Sequence, residues 1–576
     1  MNKYYQNELD NLRDLATEFS NAYPTIAPQL NAASVDPDVE RILEGVAFLT
    51  GKIRQKIDDE FPEFSQGLLK HIFPHYLRPL PSATIVEFTP TPILKNKLDI
   101  PKGAYLDSEP VDDVKCRFRT TYDLDVWPVA VTGAKISETS TGKQAIDVKI
   151  ETRGIDISKW NTDSLKIHLA GDYSGASDLY YILLNFLHSI EISNGSDKNS
   201  VLATDAKVTA LGFDDEDALL EYPSNAFPAY RLIQEFFLLR EKFLFIELKN
   251  LSKYTTQITG NCLTLRFNLN EIPIRIPRIN EKRFVLNATP AVNLFEHDAE
   301  SILNDHKRSE YRIRPLRDPG NNYHIYSINS VIGTDRKTAR KNEYKELGLS
   351  DPDRNSDAVY QVSYRQGDTE NKTNAYLSFS YPPEYQMGEQ ETVLIGMTCS
   401  NGNIPSNLRL GDICKRTKCT PELVEFKNIM QPSDSQRIPS GKSMLWRLLS
   451  HLSLNYLSLA EVDNFKALLG LYIFTSGAGN KQEAINRKCI EGVVDIKVAP
   501  CDRLVSGIPM RGQAINVHVN SKSYSCSGDM YLFGMLLDYL FGSFASLNSF
   551  TEFTMTDSVS DVVFKWAPRT GDRPLI

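Results

Sequence analysis

No export signal, no membrane-length apolar run, no paired-cysteine spacing and no complete catalytic motif occurs in this chain of 576 residues. The opening MNKYYQNELDNLRDLATEFS has neither the apolar core nor the small-residue cleavage site of a secretory signal, so export is not expected. LYYILLNFLHSI (residues 179–190) is too short to span a bilayer, which takes about 20 apolar residues. MYLFGMLLDYLFGSFASL (residues 530–547) approaches that length but carries Asp538 near its middle, where a charge is costly in lipid. It therefore reads as a buried helix, and direct membrane insertion is not expected. The eight cysteines form no C-x-x-C pair, which together with the missing signal predicts reduced thiols in a cytoplasmic protein. Cys414 and Cys419 find no further zinc ligands at a suitable local spacing.

What the chain does have is apolar material and a mild acidic excess. The 41% hydrophobic content suffices for ordinary cores and rules out wholesale disorder. With 64 Lys plus Arg against 73 Asp plus Glu, the net charge is −9, which argues against non-specific nucleic-acid binding.

The N-terminal part is helical by period. Tyr5, Leu9, Leu12, Ala16, Phe19 and Tyr23 recur at spacings of three and four until Pro24 and Pro28 end the run. Asp36-Pro37 suits the start of a second helix, whose stripe is Val39, Ile42, Val46, Leu49, Ile53 and Ile57. A third helix carries Phe64, Leu68 and Ile72 and stops at Pro74. These stripes have two readings: the helices pack only on one another, or they join a bundle shared with other chains. From about Pro79 the texture turns to strands, in PLPSATIVEF, AIDVKIETRGIDI and SLKIHLA, with turns at Gly103, Gly133, Gly142 and Gly154. LYYILLNFLHSI and AYRLIQEFFLLREKF (residues 229–243) read as helices, and LFIELKNL and NCLTLRFNL as strands. Residues 286–430 read as polar, loop-rich and poor in strands, with 343–374 partly mobile and basic stretches at 307–317 and 336–345. Helices return in SMLWRLLSHLSLNYLSLAEV and NFKALLGLYIF, strands in VVDIKVAP and AINVHVNS, and a last helix in DMYLFGMLLDYLFGSFASL. The expected fold is α+β and multidomain, with a helical N-terminal segment, β-rich mixed domains and a mixed α/β C-terminal region. The expected limits are 1–80, 81–285, 286–435 and 436–576.

The chemical inventory is thin. Ser440-Gly441-Lys442-Ser443 resembles the end of a phosphate-binding loop, but Gln436 stands where that loop needs its first glycine. His71 and His75 are four apart with Pro74 between them, and no Glu follows His71. Asp351, Asp353, Asn355 and Asp357 resemble the start of a calcium loop, but Ser356 and Val362 occupy the positions of its Gly and Glu. Asp214, Asp215, Glu216 and Asp217 read as a charged loop. The basic stretches lack an RNA-binding aromatic signature, so an acidic protein face is the expected partner there. No catalytic residue, cofactor or metal is assigned. The rival readings are a hydrolase or metalloenzyme with a non-local site, and a nucleic-acid binder using residues 307–345.

Longer blocks carry a resemblance. YYQNELDNLRDLATEFSNAYPTIAPQL, DPDVERILEGVAFLTGKIRQKIDDEFPEFSQGLLKHIFPHYLRPLPS, LLEYPSNAFPAYRLIQEFFLLREKFLFIEL, FVLNATPAVNLF, WRLLSHLSLNYLSL, YLFGMLLDYLFGSFASLNSF and WAPRTGDRPLI occur in this order. Together they resemble the TssF family of type VI secretion baseplate subunits, which is similar to the wedge proteins of contractile phage tails. The resemblance implies a non-enzymatic structural subunit of a cytoplasmic baseplate wedge, docked at the inner membrane through a membrane complex. It implies as partners a second copy of the chain, a TssG-like subunit, TssK-like trimers, a TssE-like subunit and the spike hub. On that reading Tyr5, Leu9, Leu12, Phe19, Tyr23, Val39, Ile42, Val46, Leu49 and Ile53 form the partner interface. PAVNLF (residues 290–295) is expected in the core rather than at a contact between copies.

Overall fold

The computed structural model describes residues 2–23, 37–58, 73–138, 142–160, 162–194, 200–222, 227–318, 322–347, 358–366, 373–381, 390–436, 461–474, 481–505 and 508–571. They fall into two compact units, one holding 2–23 and 37–58, the other everything described from Pro74 onward. The expected α+β class, helical first and β-rich afterwards, is what the chain adopts.

Among the described residues, the first unit holds a pair of helices, α1 (Asn2–Ala22) and α2 (Pro37–Asp58). Pro37 opens α2, where its missing N–H costs nothing, and Asp38 and Glu40 suit the positive end of the helix dipole. Ion pairs from Arg54 to Glu8 and from Arg13 to Glu40 make the helices antiparallel. The expected third helix at 64–72, the Asp36 cap and most of 443–462 lie outside the described residues.

In the second unit, the described residues form five sheets of three or more strands together with a helical layer. The first sheet is antiparallel, in the order Val424–Asn428, Ala83–Pro90, Ala288–Val292, Val114–Thr120, Tyr105–Val111. Residues 290–295 are all buried, and Pro290 lies opposite Ile85, so PAVNLF is core as expected. Two further antiparallel sheets are built around Cys262–Leu269 and Phe245–Lys249. The last sheet joins the hairpin Val493–Val505/Ile508–Val519 to Ser549–Asp557, the latter pair parallel.

Helices α3 (Tyr173–Asn185), α4 (Pro228–Leu238) and α7 (Ser527–Ser543) form the helical layer, while α5 (Val462–Leu471) and α6 (Lys481–Glu491) lie near the C-terminal sheet. Helix α7 is buried on nearly every side, as its sequence predicts. Phe533 meets Phe236 of α4, Tyr531 meets Tyr181 of α3, and Phe541 meets Phe553 of the sheet, with ring centroids 6.1, 4.9 and 5.6 Å apart.

Three expectations are corrected. The run 179–190 is not one helix: α3 begins earlier, where Asp172 accepts from the Gly175 amide at 2.8 Å, and Leu187–Ser193 is a strand. Its alternation buries Ile190 and Ile192 against Cys262–Leu269. The run 229–243 is likewise divided, because Leu239 leaves the helical conformation, with φ of −151° and ψ of 88°, and a 3-10 turn follows at Arg240–Phe243. Finally, 286–430 is not poor in strands. It supplies all eight strands of one sheet, among them His324–Asp335, Lys341–Glu346, Val359–Gln366, Thr373–Ser380 and Glu391–Ser400. Bulges at Ile325/Ser327 and Ile328/Ser330 shift the inward face, so the apolar alternation that marks a strand is broken in the sequence. Lys341–Glu346 and Val359–Gln366 place strand residues within 343–374, while 348–357 and 367–372 of the stretch expected to be partly mobile lie outside the described residues.

Candidate assembly surface

The seam between α1 and α2 is narrow. The buried positions of the two helices are Leu9 and Ser20 on α1 and Ala47 and Gly51 on α2. Small residues at 47 and 51 let the helix backbones come close, as Gly51 does against Tyr4 and Tyr5. Leu9 therefore belongs to the seam, and Tyr5 and Leu12 are half-buried.

The other expected interface residues point elsewhere. Phe19, Tyr23, Ile42, Val46, Leu49 and Ile53 are exposed, the last three at 39, 61 and 59%. The side chains of Val39 and Ile57 lie outside the described residues. Leu15 and Phe48, absent from the predicted stripes, are exposed as well. The a/d spacing of Ile42, Val46, Leu49 and Ile53 marks a seam but does not say which helix fills it; here it is not α1. A soluble chain seldom leaves such a continuous apolar row to water.

The candidate chemistry does not converge. His75 is buried in a tyrosine cage, 4.8 Å from the Tyr222 ring and 6.0 Å from those of Tyr230 and Tyr472, with Nε2 3.2 Å from the Tyr472 hydroxyl. Its neighbour in the motif, His71, lies outside the described residues, as do 440–443 and 351–357. Cys414 and Cys419 are exposed free thiols. Among the described residues no group of three or more His, Cys, Asp or Glu is placed to hold a metal, and no helix is long and apolar enough to cross a membrane.

The acidic loop 214–217 has a structural role that its sequence did not announce. Asp215 pairs with Arg231 at 3.0 Å, and the Asp217 carboxylate accepts from the Gly212 amide at 2.9 Å. Behind this loop, Glu235 accepts from the amides of Leu219 and Leu220 at 2.8 and 3.1 Å and pairs with Lys242, while Lys242 donates to the Gly212 carbonyl at 2.9 Å. Glu235 and Lys242 are both fully buried. Burial pushes the Glu235 carboxyl up, but Lys242 and Arg231 outweigh this and hold it below its usual range. Burial brings the Lys242 amine down to about 8 against the pull of Glu235. These are ionic clamps that hold a loop on α4. They were not foreseen because an i,i+4 Arg-Glu pair followed by a lysine ordinarily marks a solvated helix face.

Comparison with known proteins identifies the architecture. The family described as Type VI secretion system, TssF matches residues 1–573. The Type VI secretion system component TssF1 of Pseudomonas aeruginosa is 28% identical over 99% of both chains. A chain of a cryo-electron microscopy structure of the type VI secretion system TssK-TssF-TssG baseplate subcomplex shares the fold, with a TM-score of 0.79 and 24% identity over 93% of this chain and 99% of that one. A chain of the baseplate complex from the type VI secretion system matches with a TM-score of 0.64 and 22% identity, covering 99% of each. With the family match running over nearly its whole length, this chain belongs to the TssF family of type VI secretion baseplate subunits.

Proposed function

We propose that the chain works in the baseplate wedge through packing surfaces rather than catalysis, and that the helical segment 1–80 is its contribution to a shared helical bundle. The partners are a TssG-like subunit and TssK-like trimers, the subunits named with TssF in the similar baseplate subcomplex. A second copy of the chain, a TssE-like subunit and the spike hub complete the set expected from the family. The wedge sits in the cytoplasm and docks on a membrane complex without inserting. In this role the subunit supports assembly of the tail tube and sheath.

One observation carries the bundle assignment: Ile42, Val46, Leu49 and Ile53 lie exposed along α2, on a helix pair whose own seam is formed by other residues. Burying one such leucine or isoleucine contributes about 1.5–3 kcal/mol, so a partner helix along this row gains considerably. The experiment is co-expression with the TssG-like subunit and a mass measurement by light scattering. The wild-type chain is expected to form a 2:1 complex. Ile42→Asp plus Leu49→Asp should abolish it while leaving the circular dichroism of the chain unchanged, because neither side chain is in the seam. A double variant that still co-purifies with the partner overturns the assignment.

A further inference from the structure

The strands His324–Asp335 and Lys341–Glu346 meet in a hairpin whose tip is a cluster of cations. Arg336, Lys337, Arg340 and Lys341 fall within six residues, and all are exposed. Among the described residues, Arg336, Arg340 and Lys341 have no carboxylate partner.

The tip has a defined shape. The Asp335 carboxylate accepts from the amides of Lys337 and Thr338 at 2.7 and 2.8 Å. The backbones of Asp335 and Arg340 are joined at 3.0 Å, and the Ala339 amide donates to the Asp335 carbonyl at 3.0 Å. Ala339 itself is left-handed, with φ of 55°, a conformation that non-glycine residues seldom adopt. The one acid inside the turn is thus engaged in building it. Below the tip the hairpin is anchored by Tyr344, which is buried and donates to the buried Glu391.

We infer that this hairpin tip docks on an acidic face of another baseplate subunit, through Arg336, Lys337, Arg340 and Lys341. The inference rests on the subunit reading above. Charge complementarity selects the occupant: a chain of net charge −9 presents a preorganised cationic knob, and like charge elsewhere repels non-specific polyanions. A nucleic acid would favour an aromatic stacking platform beside the cations, but Tyr344 is turned into the core. A membrane surface would favour an apolar anchor, and no exposed large apolar side chain among the described residues falls between 335 and 346.

The test is made on the full chain co-expressed with the TssG-like and TssK-like subunits. The purified complex is treated with a zero-length carbodiimide, which joins a lysine amine to a touching carboxylate, and the products are read by mass spectrometry. Lys337 or Lys341 is expected to be linked to an Asp or Glu of another subunit. R336E/K337E/R340E/K341E should remove those links and weaken retention of that subunit by about ten-fold or more at low salt, the difference shrinking at high salt. R336Q/K337Q/R340Q/K341Q, which adds no repulsion, should do the same to a lesser degree, and equal melting curves for the variants show that the fold is kept. An assembled complex with no link between the tip and another subunit, or with retention unchanged by both variants, overturns the inference alone. A wild-type chain that takes up neither partner overturns the subunit reading and the tip inference with it. Tip-dependent binding of duplex DNA or of phosphatidylglycerol vesicles, measured in parallel, would reassign the surface to those ligands.

Discussion

Gly51 of α2 lies directly against the backbone of Tyr5 in α1: a Cβ at position 51 would stand 3.2 Å from the Tyr5 amide nitrogen and 3.3 Å from its Cα. Main chain cannot swing aside as a flexible side chain can, so the helices must separate to admit a larger residue. Gly51→Leu is expected to destabilise the pair by about 1–3 kcal/mol, the usual cost of overpacking. Amide hydrogen exchange in α1 and α2 should accelerate while the β-rich unit keeps its protection. Unchanged exchange in α1 would show that the close approach is not what joins the helices.

The Glu235–Lys242 clamp predicts a non-additive mutant pair. Glu235→Gln leaves a buried ammonium with a weakened partner and should cost about 3–5 kcal/mol. Glu235→Gln combined with Lys242→Met removes both charges and should recover much of that loss. Urea midpoints of the two single variants and the double variant measure the coupling. Simple additivity would mean that the two charges are not interdependent.

His168 predicts an acid-sensitive stability. Burial against Phe245 lowers its folded-state pKa to about 3, and Nδ1 finds no hydrogen-bond partner. In the unfolded chain the ring titrates near about 6.5, so as pH falls the unfolded state takes up the proton first. The stability contribution is therefore complete above about pH 6.5 and is lost steadily down to about pH 3. At pH 5 the loss is about 2 kcal/mol. His168→Gln should flatten the fall in urea midpoint between neutral and acidic pH. A variant with the wild-type slope would place the acid sensitivity elsewhere.

Asp538 and Arg569 predict a pH dependence of opposite sense. Asp538 is 1% exposed in the middle of α7, and burial pushes its carboxyl up despite the paired Arg569 guanidinium. That guanidinium also lies over the Tyr539 ring at 3.6 Å. Arg569→Met strips the charge partner and should cost about 3–5 kcal/mol at neutral pH. The cost should shrink as pH falls toward about 4, because the stranded carboxyl, its folded-state pKa raised by burial, takes up a proton in the folded state. Thermal melts at the two pH values compare these directly, and an equal cost at both would exclude an ionised Asp538.

Much of the framework was legible from the chain because it rests on local signals. The 3.6-residue stripes located α1 and α2, Pro37 marked where α2 starts, and the single charge in the apolar run 530–547 told a buried helix from a membrane span. The long strand His324–Asp335 was hidden because bulges near Ser327 and Ser330 disturb the period-2 pattern on which recognition depends. The break within 229–243 was hidden for another reason: Arg240 and Lys242 look like solvent-facing charges until their partners, Asp529 and Glu235, are known.

The assembly residues divide along the same line. The periodicity of Ile42, Val46, Leu49 and Ile53 is a property of the sequence, since a helix turns about 100° per residue whatever surrounds it. It determined that one face of α2 seeks apolar cover. Which face α1 takes was decided in three dimensions, where Ala47 and Gly51 allow the closest backbone approach and leave the larger residues outside. In the same way the sequence by itself set the cations at 336–341, but only the fold of the eight-stranded sheet turned them into one exposed knob. Local propensity acts between near neighbours; the choice between a filled seam and an open surface depends on contacts between residues far apart in the chain.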